Sequence, residues 1–327
     1  MSHQKSGSQQ TSGSQRISGI HHVTAITSDA QKNIDFYCGV LGLRLVKRTV
    51  NFDDPGSYHL YYGDELGRPG TILTFFAWPG ARRGRISQPQ VSSTAFAIAK
   101  GSIDFWKQRL EANGVSFNVA PARFGDQVLA FTDFDGMQME LIASDDPRTP
   151  WAAGTVPVEH AIRGFHSVSL SERDQQVTAD VLTKTLGFAA AGVDGNRFRF
   201  VASDKSGGVV DLLLVTGGME GTMGAGTVHH VAFRTPDDAS EEAWRRLLVE
   251  QGFHVSPVMD RNYFHSIYFR EPGGVLFEIA TDIPGFSVDE PAESLGMELK
   301  LPEQFESARA RIESHLPKIR LPQGANS

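Results

Sequence analysis

The sequence predicts an α+β fold of four βαβββ modules in two tandem domains, each of paired, curled mixed sheets with flanking helices. Three observations in the 327 residues carry that prediction. Four strand-like stretches open at near-constant spacing, each is followed by an amphipathic helical stretch that leaves through a glycine, and each unit closes with a glycine turn and an apolar strand. With the opening positions taken as His22, Thr94, His166 and His230, the steps are 72, 72 and 64 residues. A shared internal register is the mark of a repeated structural unit.

The first residues, "MSHQKSGSQQTSGSQR", are rich in Ser, Gly and Gln and have nothing to bury, so 1–16 reads as a disordered tail. The N-terminal domain is expected over 17–146 and the C-terminal domain over 163–284, two modules in each. Between them, "PRTPWAAGTVPVEHAIRG" carries three prolines and reads as a linker over 147–162. Helical spacing recurs in Ile34, Tyr37, Cys38 and Leu41, in Ile103, Trp106 and Leu110, and in Ala243 and Leu247. The helices exit through "LGLRLV", "ANGVSF", "LGFAAAG" and "QGFHVS", where glycine is the expected cap before the next strand. The closing strands are "PGTILTFFAW", "DGMQMELIAS", "GGVVDLLLVT" and "GGVLFEIATD". The fourth residue after the last glycine of each closing turn is Thr74, Glu140, Leu212 and Glu278. In the extension 285–327, Phe305, Ala308, Ile312 and Leu316 predict a C-terminal helix lying on the body.

Composition excludes several functions. A net charge of −7 without a basic run gives no attraction for nucleic acid or an anionic membrane surface. No stretch reaches the roughly 20 apolar residues of a membrane helix, and the start lacks a secretory core. A soluble, cytoplasmic protein is expected. Cys38 is the only cysteine, so any metal must be held by nitrogen and oxygen.

Two stretches, "SGIHHVTAITSDA" and "GTVHHVAFRTPDD", repeat a histidine doublet. Side chains alternate across a strand. With Val231 and Phe233 against the helix, His230 takes the open face, and Val23 and Ala25 place His22 and Thr24 there likewise. Val275, Phe277 and Ile279 leave Glu278 on the open face. Two imidazoles and a carboxylate form a facial triad suited to Fe(II) or Mn(II), with positions free for O2 and a substrate oxygen. Parity points His21 and His229 away, unless a bulge brings them round. Tyr268 has ligand-side parity in "HSIYFRE", Arg261 lies in a turn, and Tyr58, His59, Tyr61 and "VKRT" read as sheet residues near a pocket wall or entrance.

The four-module arrangement resembles the vicinal oxygen chelate superfamily, which includes glyoxalase I, extradiol dioxygenases and fosfomycin or bleomycin resistance proteins, over about Ile17 to Pro284. In common catechol-cleaving members the ligands come from the last two units, which implies His166, His230 and Glu278. The segment from "HHVTAITSDAQKNIDFYCGVLGLRLVKRTVNFDD" onward, together with "DRNYFHSIYFREPGGVLFEIATD", more closely resembles the branch that cleaves para-hydroquinones. That branch implies metal ligands His22, His230 and Glu278, with His229, Tyr268 and Arg261 as catalytic residues and His21 and Thr24 as substrate-binding ones. It also implies an Fe(II)-dependent extradiol-type enzyme of aromatic degradation that opens a hydroquinone with O2, Mn(II) being the alternative metal. A glyoxalase-like lyase or isomerase and a non-catalytic quinone- or drug-binding protein are the competing readings; Thr74 at the first-unit carboxylate position argues against the first. Glu140 and His166 read as remains of a second site, left empty because Thr94 occupies the matching ligand position. Superfamily members often pair sheet edges across subunits, so the resemblance is compatible with a homo-oligomer.

Overall fold

The computed structural model describes residues 16–202 and 207–322, so all of the expected tail but Arg16 lies outside the described residues. The first module is β1 (Ile20–Thr27), α1 (Ala30–Ile34), β2 (Arg44–Val50), β3 (Tyr58–Gly63) and β4 (Ile72–Ala77). The second is β5 (Gln90–Ala99), α2 (Ile103–Ala112), β6 (Phe117–Arg123), β7 (Asp126–Thr132) and β8 (Gln138–Ser144). The third is β9 (Gly164–Glu172), α3 (Gln175–Asp180), β10 (Ala189–Asp194), β11 (Arg197–Val201) and β12 (Val209–Leu214). The fourth is β13 (Val228–Thr235), α4 (Asp238–Glu250), β14 (Met259–Asp260), β15 (Phe264–Arg270) and β16 (Leu276–Pro284). No helix among the described residues is long and apolar enough to cross a membrane.

Local chemistry starts and stops the helices. Asp29, Asp174 and Asp237 each sit in extended backbone and accept a hydrogen bond from an amide of the first turn, the N-cap arrangement. Gly42, Gly114, Gly187 and Gly252 follow the helices at φ between 68° and 87°, where a side chain is strained. The helical residues of the first two modules are buried as expected. In α4 the buried stripe is Glu241, Trp244 and Leu248, one position on from the expected Ala243 and Leu247. The expected C-terminal helix is two short ones, α5 (Glu303–Glu306) and α6 (Arg309–His315), interrupted at Ser307–Ala308 by a tighter turn from Ala308 N to Phe305 O. The extension is anchored by Lys47 of β2, fully buried and ion-paired with Asp289 and Glu290, which gives "VKRT" a structural role.

The strands form two curled eight-stranded mixed sheets, in the orders β14-β15-β16-β13-β1-β4-β3-β2 and β10-β11-β12-β9-β5-β8-β7-β6. Modules one and four therefore share the first sheet and modules two and three the second, across the expected 17–146 and 163–284 division. The seams are the antiparallel pairs β1 with β13 and β5 with β9.

Both seams carry two β-bulges. Along β1 and β13 the register passes from Ile20↔Phe233 to His22↔Ala232, and from Thr24↔His230 to Ala25↔Val228, so His21 and His229 are the inserted residues. Along β5 and β9 the inserted residues are Ser92 and His166. The second-sheet equivalents of His22 and His230 are thus Ser93 and Ser167, and His166 corresponds to His229. The expected alignment of Thr94 and His166 with the ligand positions is corrected by one residue. Cross-strand partners also match Thr74 with Glu140, and Glu278 with Asp211 rather than Leu212.

Ion pairs fill the concave face of the second sheet. Arg123 donates to both oxygens of Glu140, at 2.7 and 2.8 Å. Arg199 meets Asp211 at 2.8 and 2.9 Å, and Arg197 reaches Ser169 at 2.6 Å and Asp211 at 3.2 Å. Serines replace both imidazoles there, and guanidinium groups neutralise both carboxylates. Removing one partner of a buried pair leaves an uncompensated charge. Asp211→Ala is therefore expected to lower the unfolding free energy by about 3 kcal/mol, read by denaturant titration.

Candidate metal centre and its pocket

β1, β13 and β16 are neighbours at the middle of the first sheet, and each sends one side chain to a common point on its concave face. His22, His230 and Glu278 are all buried, and one ligand atom from each lies within 4.8 Å of the others. Glu278 Oε2 is 3.2 Å from His22 Nε2 and 2.8 Å from His230 Nε2. Neither carboxylate oxygen receives a well-directed hydrogen bond, so the three groups face a shared centre more than one another. Complete burial pushes Glu278 toward protonation, but the charges of His22 and His230 hold its pKa well below the ordinary carboxylate value. An acceptor-only buried carboxylate and two inward imidazole nitrogens fit a divalent metal.

The bulges explain the doublets. His21 Nε2 is 3.0 Å from the Thr281 carbonyl oxygen, which can only accept, so that nitrogen carries a proton. Burial, then the charge of His22, holds the His21 pKa well below 6.5, so the ring is neutral and Nδ1 is an acceptor. His22 Nδ1, 2.9 Å away, donates to it, which keeps the His22 Nε2 on the side of Glu278 for a metal. His229 Nδ1 lies 2.8 Å from His230 Nδ1, and burial followed by the His230 charge lowers the His229 pKa to about 3. With His230 holding a metal through Nε2, its Nδ1 would donate to His229 Nδ1 and leave the His229 proton on Nε2, on a ring that lines the pocket.

The pocket above the triad has a volume of about 260 Å³ and is lined by Thr24, His229, Arg261 and Tyr268, among others. Arg261 Nε and Ser266 Oγ donate to the Tyr268 hydroxyl oxygen at 3.3 and 3.1 Å, leaving the phenolic proton to point at a ligand. Burial, then the charge of Glu278, raises the Tyr268 pKa, so it stays protonated. Thr74 donates to Thr24 at 3.0 Å, so His59 Nε2, 2.8 Å from Thr74 Oγ1, must donate to Thr74. Tyr61 then donates to His59 Nδ1 at 2.9 Å, and the Thr24 hydroxyl proton is free for the pocket. His21 lies behind His22, against Phe264, and does not line the pocket.

The family model for the glyoxalase/bleomycin resistance protein/dioxygenase superfamily matches residues 19–141 and 164–279. The chain belongs to this superfamily. Within the superfamily it is similar to MhqO of Bacillus subtilis (strain 168), provisionally described as a ring-cleaving dioxygenase, with 48% identity over 297 residues, 90% of this chain and 95% of that one. It is 34% identical to the chlorohydroquinone/hydroquinone 1,2-dioxygenase of Sphingobium indicum over 301 residues, 89% of this chain and 94% of that one. The crystal structure of a provisionally assigned dioxygenase from Bacillus subtilis superposes with a TM-score of 0.91 at 46% identity, covering 94% of this chain and 99% of that one.

In this superfamily member, β1, β13 and β16 bring His22, His230 and Glu278 together and leave His166 on the second sheet, 3.1 Å from Ser167 Oγ. The competing triad through His166 is therefore not assembled. Asn51, Phe52, Asp53, Phe76, Trp78 and Phe264 also line the pocket and were not singled out from sequence. Phe76 and Trp78 follow Thr74 by two and four positions, so strand alternation carried a signal for them.

Proposed function

We propose that the chain is an extradiol-type ring-cleaving dioxygenase that opens a hydroquinone with O2, using Fe(II), or alternatively Mn(II), held by His22, His230 and Glu278. The observation that carries the reading is the convergence of two imidazoles and one carboxylate beside a pocket lined by Thr24, His229, Arg261 and Tyr268. When bound, such a metal supplies open coordination positions at which a deprotonated ring hydroxyl and O2 can meet. Tyr268 and Thr24 then donate hydrogen bonds to ring oxygens, and Arg261 favours the phenolate electrostatically. His229 holds a proton at Nε2 for an oxygen that gains negative charge as the ring opens. Phe76, Trp78 and Phe264 bracket an aromatic ring and keep water out.

Thr74 weighs against a glyoxalase-like lyase, because the second carboxylate that would be the fourth ligand is replaced by a hydroxyl bonded to Thr24. A protein that only binds quinones has no need of the buried, charged triad. The relatives described as ring-cleaving and hydroquinone dioxygenases support the oxygen chemistry.

Protein loaded anaerobically with Fe(II) is expected to consume O2 with hydroquinone and to yield a ring-opened product; no uptake despite bound iron contradicts the reading. Glu278→Ala is expected to lose the metal on dialysis, and full occupancy in that variant would remove the ligand assignment. His21→Ala, which unties the Nδ1 partner of His22, is expected to weaken metal binding roughly 10–100-fold by titration with the ligands intact.

A further inference from the structure

The two sheets meet at a pair of related joints, each built from the end of an opening strand and the turn that leads into a closing strand. Cross-strand partners match Thr27, opposite Ala77, with Glu172, opposite Leu214. In the turns, Asp133 and Asp135 stand before Glu140 as Glu271 and Gly273 stand before Glu278. Asp133 accepts from the amides of Asp135 and Met137 and from the Tyr37 hydroxyl, at 2.9, 2.8 and 3.0 Å. Glu271 accepts in the same way from the amides of Gly273 and Val275 and from the Thr178 hydroxyl, at 2.7, 2.8 and 2.8 Å.

The other two positions are exchanged. In the first joint the carboxylate is on the turn, where Asp135 receives Thr27 Oγ1, Ser28 N and Ser28 Oγ at 2.7, 2.9 and 2.5 Å. In the second it is on the strand, with Glu172 in the place of Thr27 and glycine in the place of Asp135. A β-carbon at Gly273 would stand 2.8 Å from both Glu172 Oε2 and Glu271 Oε1, so the two carboxyl groups approach each other across the space that the glycine leaves.

Glu172 has none of the donors that serve Asp135. It is buried, and its Oε1 has no hydrogen-bond partner among the described residues. Arg173, in the place of Ser28, turns to Glu220 at 3.4 Å, and Thr178 of α3 gives its hydroxyl to Glu271. The charged group that faces Glu172 is Glu271, on the turn before β16. An ionised carboxylate so placed loses water without gaining a donor and lies against a like charge. Burial, then the charge of Glu271, raises the Glu172 pKa to about 8.

We propose that Glu172 is held as a neutral carboxylic acid and makes the joint between modules three and four pH-sensitive, closed while the proton is present and loosened when both carboxyl groups ionise. In the unfolded chain Glu172 takes the ordinary value of about 4.3, so the folded state holds the extra proton between that pH and about 8. The stability it contributes is complete below the lower value and lost as pH rises through the upper one.

The test is denaturant unfolding of the full chain over roughly pH 6 to 9, beside Glu172→Gln, which keeps the shape and cannot ionise. The folding equilibrium constant of the unaltered protein is expected to fall relative to the variant by up to roughly tenfold per pH unit and to level off above about pH 8. If glutamine is not accommodated, Glu172→Thr, which restores the residue of the first joint, takes its place. Hydrogen exchange localises the change: the Gly273 and Val275 amides are expected to exchange faster in the unaltered protein than in the variant at about pH 9, and equally at about pH 6. Parallel pH profiles of stability overturn the proposal, because Glu172 then acts through packing alone. Equal exchange of the two amides in both proteins at both pH values overturns it as well.

Discussion

The antiparallel pairing of β1 with β13 is the contact on which the rest of the site depends. His22 and His230 are 208 residues apart in the chain and become neighbours because module four returns to complete the sheet that module one began. The pairing is irregular by necessity. An unbroken ladder would turn His21 and His229 to the helix-packed face, where an imidazole has no partner. One inserted residue on each strand brings them beside the next histidine, so that the Nδ1 of each inward ring has a neighbouring imidazole nitrogen at 2.9 or 2.8 Å as its partner. The orientation of the candidate ligands is thus set by backbone register, the outer-shell control expected of metal sites.

The second sheet shows what the same backbone does with other side chains. It has the same two bulges, at Ser92 and His166, and carries carboxylates, Glu140 and Asp211, at the positions of Thr74 and Glu278. Ser93 and Ser167 cannot replace imidazole as ligands, and the arginines of β6 and β11 occupy the space a metal would need. The buried charges are compensated inside the protein, and the sheet serves as scaffold. Asp135, from the turn before β8, accepts from Thr27 and Ser28 at the end of β1 and ties this scaffold to the first sheet.

Much of this was legible in the sequence because it depends on local pattern. The helix caps, the glycine exits and the alternation that selected His22, His230, Glu278 and Tyr268 are short-range properties. Sheet membership is not, because periodicity does not say which modules pair. The bulges are also hidden: "FHSV" at 165–168 contains one histidine, and only the register shows that it matches His229 and not His230. His59 and Tyr61 read as ordinary strand residues, since their role is a hydrogen-bond chain through Thr74 that is closed only by the fold. The buried Lys47 likewise acquires its meaning from a C-terminal segment more than 240 residues away.

The central claim is that modules one and four together hold a single metal through the second histidine of each doublet and Glu278. Diffraction at the iron edge from crystals loaded anaerobically with Fe(II) tests it most directly. The account predicts one anomalous peak per chain, within about 2.2 Å of His22 Nε2, His230 Nε2 and a Glu278 oxygen. A peak beside Glu140 and Asp211, or one ligated by His21, His166 or His229, would contradict it.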